Sequence, residues 1–194
     1  MIGIVVSRAD PASEHVGEHL LALGDWESHE DDSLPDADGG GTVYRTEGFE
    51  LREFDEFHLY LEDVAEVFDD PSTILFASRH SGETGPLLTA HVPGNFGPAE
   101  FGGRDREVPA AAPNALGRLI EAFDEHVPEG YDVGMECTHH GPSRVGVPSL
   151  FVEVGSAEEQ WEDPDGARAV AESILDLEGV EARTDRAFVG VGGS

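Results

Sequence analysis

Short apolar runs that alternate with amphipathic segments constrain the fold of this chain more than any other feature. Ile2–Val6, Thr73–Ser78 and Ser149–Val154 are mostly apolar, contain β-branched residues and have the length of strands buried on both faces. A later segment has apolar residues at the helical spacing i, i+3, i+4 and i+7, namely Leu116, Leu119, Ile120 and Phe123. Strands that alternate with helices predict a three-layer α/β domain with a largely parallel central sheet.

The remaining segments complete this prediction. Ser13 is a candidate N-cap of one amphipathic helix, and Asp163, followed by proline, begins another helix that runs to Leu177. Further strands are predicted at Thr42–Thr46, around Glu50–Leu61, at Tyr131–Thr138 and at Arg186–Val191. Residues 25–41 are acidic without an apolar period and residues 93–113 are irregular, so both are predicted to be loops. No repeat or proline-rich linker divides the sequence, which favours a single domain over residues 1–194.

The charge composition restricts the conditions in which such a fold is stable. The chain has 41 Asp and Glu residues against 11 basic residues, all of them arginine, and its formal net charge is −30. In dilute buffer the negatively charged side chains repel one another, whereas at molar salt the Debye length falls to about 3 Å and this repulsion is screened. A disordered acidic chain is disfavoured because 39% of the residues are hydrophobic and lie in periodic segments. The composition therefore indicates a halophilic, acidic protein.

Cysteine content and hydropathy narrow the cellular context. Cys137 is the single cysteine, which excludes an internal disulfide and a cysteine-rich zinc finger. The first residues lack the basic region and the apolar length of a secretory signal, and no apolar run approaches the length of a membrane span. We therefore expect a cytoplasmic protein without a membrane partner.

Two segments have the composition of a functional site. Residues 78–95 and 136–143 hold four of the nine histidines, each near a carboxylate and flanked by Gly, Pro or Ser. Neutral imidazole and carboxylate are the usual ligands of a hydrolytic metal ion, and histidine also transfers protons near neutral pH. The candidate residues are His80, Glu83, His91, Glu136, His139 and His140. Each also has a structural alternative, such as a loop histidine beside a capping glutamate or a histidine buried in a turn.

The predicted strands place these candidates. Ligands bind outside the carboxyl ends of parallel strands, so the loops after strands 2–6, 73–78, 131–138 and 149–154 would meet at one edge of the sheet. His80 and His140 would then approach one another across the site. Glu153 is a carboxylate within an apolar strand, so it faces a pocket or pairs with an arginine. His15 and His19 lie four apart on a helix without a site-like neighbourhood and are predicted to be surface residues.

Longer motifs resemble a known family. They are SRHSGETGPLLTAHVPGNFG at 78–97, ECTHHGPS at 136–143 and FVEVGSAEEQW at 151–161, with MIGIVVSRADPAS at the start as weaker support. Together they resemble the archaeal and plant type of D-aminoacyl-tRNA deacylase, which frees tRNA wrongly charged with a D-amino acid. The resemblance implies a phosphorylase/hydrolase-like fold with a mixed sheet and one or two Zn²⁺ ions. It also implies that residues 1–194 lack the family's C-terminal part, because family members continue past a glycine-rich segment like 189–193.

The resemblance assigns roles to the candidate residues. It implies metal-assisted hydrolysis of the ester bond of D-aminoacyl-tRNA, with His80, His91, Glu136 and His139 as metal ligands and with Glu83 and His140 in catalysis. No P-loop or dinucleotide fingerprint is present, which disfavours a nucleotide cofactor. Two alternatives remain open: a zinc peptidase or phosphorylase-like hydrolase of a small molecule, and a truncated, non-catalytic member that binds metal or RNA.

A tRNA partner requires a local basic surface on this acidic chain. Arginine binds phosphate bidentately and stacks on bases, and aromatic rings stack on unpaired bases. The candidates for binding the tRNA acceptor end lie in or near the site loops: Arg79, Arg104, Arg106, Arg144 and Phe96, with Phe101 as a second stacking residue. The alternative is that these are ordinary loop arginines paired with the abundant acids.

Overall fold

Eight strands form one sheet in the computed structural model of the protein, which describes residues 1–182 and 187–190. The strands are β1 (Ile2–Ser7), β2 (Glu27–Asp31), β3 (Gly41–Arg45), β4 (Phe49–Phe54), β5 (Thr73–Arg79), β6 (Leu87–His91), β7 (Asp132–Met135) and β8 (Ser149–Gly155). Their order across the sheet is β2-β3-β4-β1-β5-β8-β6-β7. The α-helices are α1 (Pro11–Leu23), α2 (Pro113–His126), α3 (Glu158–Trp161) and α4 (Pro164–Leu175), and two 3₁₀ helices span His58–Tyr60 and Val64–Val67.

The sheet is mixed. The four central strands β4, β1, β5 and β8 run parallel, whereas β6 and β7 run parallel to each other and antiparallel to β8. On the other side, β3 is antiparallel to β4 and β2 is antiparallel to β3. The predicted mixed, largely parallel sheet is confirmed. The prediction that four loops meet at one edge is wrong for the loop after β7, because that strand runs against β8 and its loop leaves at the opposite end.

The two faces of the sheet are covered differently. Side chains such as Leu75, Val152 and Val154 point to one face and join a core with α1, α2 and α4. Phe76 and Phe151 point to the other face, which is covered by the second 3₁₀ helix and by loops rather than by long helices. The three-layer α/β prediction is confirmed, and the functional candidates lie on the face that loops cover.

Four local predictions differ from the structure. The cap of α1 is Asp10, whose Oδ1 accepts the Ala12 N–H at 3.1 Å, while the Ser13 hydroxyl accepts the Ser7 N–H at 2.8 Å. The acidic segment 25–41 contains β2, an exposed edge strand. The strand expected around 50–61 ends at Phe54, where a turn and a 3₁₀ helix begin. The sequence analysis also missed β6.

The helix predicted from Asp163 is confirmed at its start, where the Asp163 carboxylate accepts the Asp165 N–H at 3.0 Å, and it ends at Leu175. The last strand was predicted at Arg186–Val191. Both of these end residues lie outside the described residues, and residues 187–190 between them are not in a strand. None of the helices in the described part of the chain has the length and apolarity needed to cross a bilayer.

Candidate metal centre

Glu153 lies at the centre of the candidate site. Its side chain is 2% exposed and shares the loop-covered face of β8 with Phe151, two residues earlier. Its register partners on the neighbouring strands are Ser78 of β5 and Thr89 of β6, both buried. A carboxylate at this depth requires compensating partners. Of the two alternatives predicted from the sequence, the pocket is the one observed, because Glu153 lines a cleft. Its ionisable partners among the described residues are histidines, not an arginine.

Three imidazoles face the two oxygens of the Glu153 carboxylate. His91 Nε2 lies 3.7 Å from Oε1 and His140 Nε2 lies 3.8 Å from the same atom. On the other side, His80 Nδ1 lies 3.7 Å from Oε2. These separations are too long for hydrogen bonds. The predicted approach of His80 and His140 is therefore confirmed, and the carboxylate between them is the group they share.

The candidate ligands fall into two groups. His91, His139 and His140 form the first, with their ring centroids 4.4–4.6 Å apart. His80, Glu136 and Glu153 form the second, in which His80 Nδ1 lies 3.1 Å from Glu136 Oε2. Within each group the possible ligand atoms all lie within 4.8 Å of one another. The structure thus brings together all four residues predicted as ligands, together with one predicted catalytic residue, His140.

Backbone carbonyls orient the rings of the first group. In His91, His139 and His140 the Nδ1 atom lies at hydrogen-bond distance from the carbonyl oxygen of Val92 (3.1 Å), Cys137 (2.7 Å) and Gly141 (2.9 Å), respectively. Only a protonated Nδ1 can donate to a carbonyl, so in the neutral ring the lone pair lies on Nε2. Metal-binding histidines in proteins are held in the same way.

Several buried atoms in the site have no hydrogen-bond partner among the described residues. They are His91 Nε2, Glu136 Oε2 and Glu153 Oε1. Leaving such groups unsatisfied costs about 1–3 kcal/mol each. Two ligand atoms 2.0–2.1 Å from one tetrahedral zinc ion are about 3.3 Å apart, which is close to the observed separation of His91 from Glu153. The donor types, their unsatisfied atoms and their spacing fit a zinc ion.

The same proximity shifts the pKa values of Glu153 and of two histidines of the first group. Burial alone would raise the pKa of Glu153, but the imidazoles of His140, His80 and His91 outweigh burial and hold that pKa well below its ordinary value. Burial opposes the charged form of His91, yet the Glu153 carboxylate outweighs it and raises the His91 pKa. The pKa of His139 is lowered, first by burial and then by its histidine neighbours. Glu153 is therefore ionised at neutral pH.

The second group contains a coupled acid and base. The Glu136 carboxylate, with Glu153 beside it, raises the pKa of His80 to about 9. Burial would raise the pKa of Glu136, but its contact with His80 outweighs burial and lowers it. At neutral pH His80 is accordingly protonated and Glu136 is ionised.

Two of the site histidines pack against the ring of Phe151, a contact that was not predicted from the sequence. The Phe151 ring stacks against His91 with centroids 5.3 Å apart and planes 7° apart, and it meets the His140 ring edge-on at 4.7 Å. Beneath it lies a fully buried pair in which His58 Nε2 is 3.3 Å from Asp10 Oδ2. Only the positions of Asp10 and His58 just after β1 and β4 could have indicated this pair.

A cleft of about 340 Å³ leads from solvent to the two groups. Its walls include His80, His139, His140 and Glu153 from the site, and also Phe57, Leu59, Ser78, Arg79, Ser81 and Phe101. The candidate ligands therefore lie at the floor of the cleft. Phe57, Leu59 and Phe101 form apolar parts of its walls, and Arg79 adds a cationic side chain.

Comparison with known proteins identifies the family. The sequence model of the family described as D-aminoacyl-tRNA deacylase matches residues 67–194. The chain belongs to the D-aminoacyl-tRNA deacylase family. The matched range contains all six candidate ligand and catalytic residues named from the sequence.

Curated relatives agree along the whole chain. The D-aminoacyl-tRNA deacylase of Natronomonas pharaonis is 60% identical over 193 residues, covering 100% of this chain and 44% of the relative. That of Halorubrum lacusprofundi is 61% identical and covers 94% of this chain and 40% of the relative. The more distant D-aminoacyl-tRNA deacylase of Archaeoglobus fulgidus is 35% identical, and the alignment covers 98% of this chain and 68% of the relative. The chain thus spans less than half the length of the two haloarchaeal relatives.

A solved structure supports the fold. The crystal structure of a conserved protein of unknown function, AF0625, superposes with a TM-score of 0.83 at 33% sequence identity. The superposition covers 93% of this chain and 64% of that protein.

The predicted tRNA-binding residues differ in their surroundings. Arg104 and Arg106 are exposed in the loop between β6 and α2, and Phe96 is 72% exposed in the same loop. Arg144 is also exposed, but its guanidinium pairs with the Glu107 carboxylate at 3.0 Å. That pair matches the alternative of an ordinary loop arginine neutralised by an acid.

Glu83 and Arg79 lie at the entrance of the site. Glu83 is exposed in the loop after β5 and is not among the residues that line the cleft, so its role in proton transfer stays a prediction. Arg79, the last residue of β5, lines the cleft and directly precedes His80.

Proposed function

We propose that this chain carries the metal-assisted ester hydrolase site of a D-aminoacyl-tRNA deacylase, which releases a free D-amino acid and tRNA. Membership of the family supports the substrate. One structural observation supports the chemistry most strongly: His80, His91 and His140 face the buried Glu153 carboxylate. In addition, His91, His139 and His140 each direct Nδ1 to a backbone carbonyl, which leaves Nε2 for a ligand.

We assign zinc to the first group together with Glu153. His91, His139 and His140 would supply Nε2 atoms and Glu153 would supply Oε1, which are nitrogen and carboxylate donors of the types that zinc binds. Bound zinc lowers the pKa of a water molecule and polarises an ester carbonyl. The His140 ring lies beside those of His91 and His139, so we propose His140 as a ligand rather than as the proton-transfer residue expected from the sequence.

His80 and Glu136 are proposed to move the protons. Glu136 is ionised and partly exposed, so it can accept a proton from the attacking water. His80 is protonated at neutral pH and can donate a proton to the departing ribose oxygen. The 3.1 Å separation of His80 Nδ1 from Glu136 Oε2 lets the pair exchange the proton between turnovers. A zinc stoichiometry of two would instead make these residues ligands of a second ion.

The acceptor end of the tRNA would reach the cleft past the exposed loop that carries Arg104, Arg106 and Phe96. Arginine and phenylalanine there offer phosphate contacts and a stacking surface. We propose Arg144 only as a minor contact, because Glu107 already neutralises it.

We further propose that the protein is halophilic and acts in the cytoplasm, where aminoacyl-tRNA is found. The net charge of −30 and the close haloarchaeal relatives support this proposal. Assays should therefore be made in KCl at about 2 M, where the Debye length is only a few ångströms.

The test is hydrolysis of D-aminoacyl-tRNA by the purified chain. We expect release of the D-amino acid with little release from the L-aminoacyl-tRNA, loss of activity on chelation, and recovery with zinc. His139→Gln, which alters an exposed ligand, should lower activity about 100-fold or more. His29→Gln, on the exposed edge strand β2, is the matched control and should leave activity unchanged. Full activity after exhaustive zinc removal would refute the metal role.

A further inference from the structure

Arg79 stands out among the arginines of this acidic chain. Six of the nine described arginines pair with a carboxylate: Arg8, Arg45, Arg52, Arg118, Arg144 and Arg168. Arg104 and Arg106 have no such pair among the described residues, but they are exposed outside the cleft. Arg79 also has no carboxylate partner among the described residues, although it is half-buried and lines the cleft. In a chain with 41 acidic residues, this guanidinium is left available to an external anion.

Aromatic rings, not acids, hold the Arg79 side chain in place. Its Cζ atom lies 5.1 Å from the centroid of the Phe57 ring and 5.0 Å from that of Trp161. Such contacts orient a guanidinium and leave its N–H groups free to bind an anion. The backbone N–H of Arg79 is also fixed, since it donates to the buried Asp10 carboxylate at 3.0 Å.

The Arg79 position is coupled to the hydrolytic site. The next residue is His80, and the Trp161 Nε1–H donates to the His80 carbonyl at 2.9 Å. Trp161 therefore holds both the guanidinium and the backbone of a site residue. An anion on Arg79 would lie in the same cleft as His80, His140 and Glu153.

The rest of the cleft favours a nucleotide as the source of the anion. Phe57, Leu59 and Phe101 form apolar walls, and Phe101 is 59% exposed and free to stack. The volume of about 340 Å³ lies within the range of small-ligand sites, about 300–1,000 Å³. An aminoacyl ester has no free carboxylate, so its nearest anion is the phosphate of the nucleotide that carries the ester.

We infer that Arg79 is the phosphate-binding residue of a terminal-nucleotide subsite, which it forms with the apolar walls of the cleft. This inference rests on the proposed function for the identity of the nucleotide, but the phosphate contact itself does not require hydrolysis. The subsite makes the enzyme select an ester carried on a nucleotide over a simple amino-acid ester. A small-peptide hydrolase would instead use the same guanidinium for a peptide carboxylate.

Binding of three small molecules to the purified 194-residue chain tests the inference. Adenosine 5′-monophosphate, adenosine and an N-acetylated amino acid are titrated in KCl at about 2 M, with calorimetry and intrinsic tryptophan fluorescence as readouts. We expect the monophosphate to bind about tenfold or more tightly than adenosine, since a charge-assisted hydrogen bond contributes about 1.5–3 kcal/mol. The N-acetylated amino acid should bind weakly or not at all.

Substitutions of Arg79 test whether its guanidinium is the group that binds the phosphate. Arg79→Met keeps an apolar stem between the rings and should abolish the advantage of the monophosphate over adenosine, whereas Arg79→Lys should retain part of it. Arg168→Met, which breaks an exposed pair with Glu172, is the matched control and should change nothing. Circular dichroism confirms that each variant is folded.

Three results would overturn the inference. If His139→Gln, rather than Arg79→Met, removes the advantage of the monophosphate, then the phosphate binds the metal centre. If Arg79→Met weakens the N-acetylated amino acid instead, then the guanidinium binds a carboxylate. An unchanged monophosphate advantage in Arg79→Met would also refute it. Phosphate binding without deacylase activity would refute the proposed function alone, so the two claims fail separately.

Discussion

Two buried glutamates on the same sheet are neutralised in different ways. Glu50 of β4 is fully buried, and its carboxylate pairs with Arg52, 4% exposed, and with Arg45 at 2.9 Å. Glu153 of β8 is 2% exposed, yet its neighbours are imidazoles at 3.7–3.8 Å. One carboxylate is held by cations that never lose their charge, and the other by groups that exchange protons and bind metals.

The difference matches a structural role for Glu50 and the metal-binding role that we propose for Glu153. Arg52 also binds the Asp31 carboxylate and the Gly39 carbonyl, each at 2.8 Å. The groups that face Glu153, by contrast, are imidazoles 3.7–3.8 Å away, beyond hydrogen-bond distance. Burial alone therefore does not identify a functional carboxylate. The chemistry of its neighbours is more informative, because imidazole exchanges protons and binds metals whereas guanidinium does neither.

The largest expected effect comes from changing the functional glutamate. Glu153→Gln keeps the shape of the side chain but removes the charge that zinc requires. We expect loss of bound zinc and a fall in deacylase activity of about 100-fold or more, measured as zinc content and kcat/KM. The stability of the zinc-free protein should change little, because the neighbouring imidazoles can lose their protons. If Glu153→Gln bound as much zinc as the unchanged protein, the proposed difference in role between Glu153 and Glu50 would be contradicted.

The opposite pattern is expected at the structural glutamate. Glu50→Gln leaves Arg52 buried with one carboxylate partner fewer, and arginine cannot discharge. The free energy of unfolding should fall by about 3 kcal/mol, measured by denaturant titration in high salt. Activity and zinc content per folded molecule should stay unchanged. If this variant lost zinc while it remained folded, the two clusters would be coupled.

A smaller, pH-dependent effect is expected at His80. Its pKa in the fold is about 9, above the ordinary 6.5, so its contribution to stability is fully present below the ordinary value. That contribution is lost as the pH rises through about 9. The Tm of the zinc-free protein should therefore fall between about pH 6 and pH 9.5, and His80→Gln should reduce this fall. The same Tm fall in both proteins would show that His80 is not the titrating group.

Much of the fold could be predicted from local pattern. β1, β5 and β8 are continuous apolar runs, and each was placed within about one residue of its observed bounds because both faces of these strands are buried. β2 was missed for the opposite reason. It is an exposed edge strand with the sequence ESHED, held by pairing with β3 alone, so it has no hydrophobic signal.

The site could be predicted only in part. Histidine and carboxylate between glycines indicated the candidate ligands, which the structure brings together. The importance of Glu153 depends on β6 and β7 running antiparallel to β8, which brings His91 and Glu136 beside it. Strand direction is a long-range property that local sequence does not encode. The His58–Asp10 pair and the rings around Arg79 likewise join segments distant in the chain.

The most direct measurement is anomalous diffraction at the zinc absorption edge from crystals grown with zinc. We predict a peak between Glu153 and the first histidine group, with His91 Nε2 and Glu153 Oε1 each about 2.0–2.1 Å from the ion. The Glu50–Arg52 cluster should show none. A zinc peak elsewhere, or none at Glu153 in a protein that hydrolyses D-aminoacyl-tRNA, would contradict the metal centre proposed for this chain.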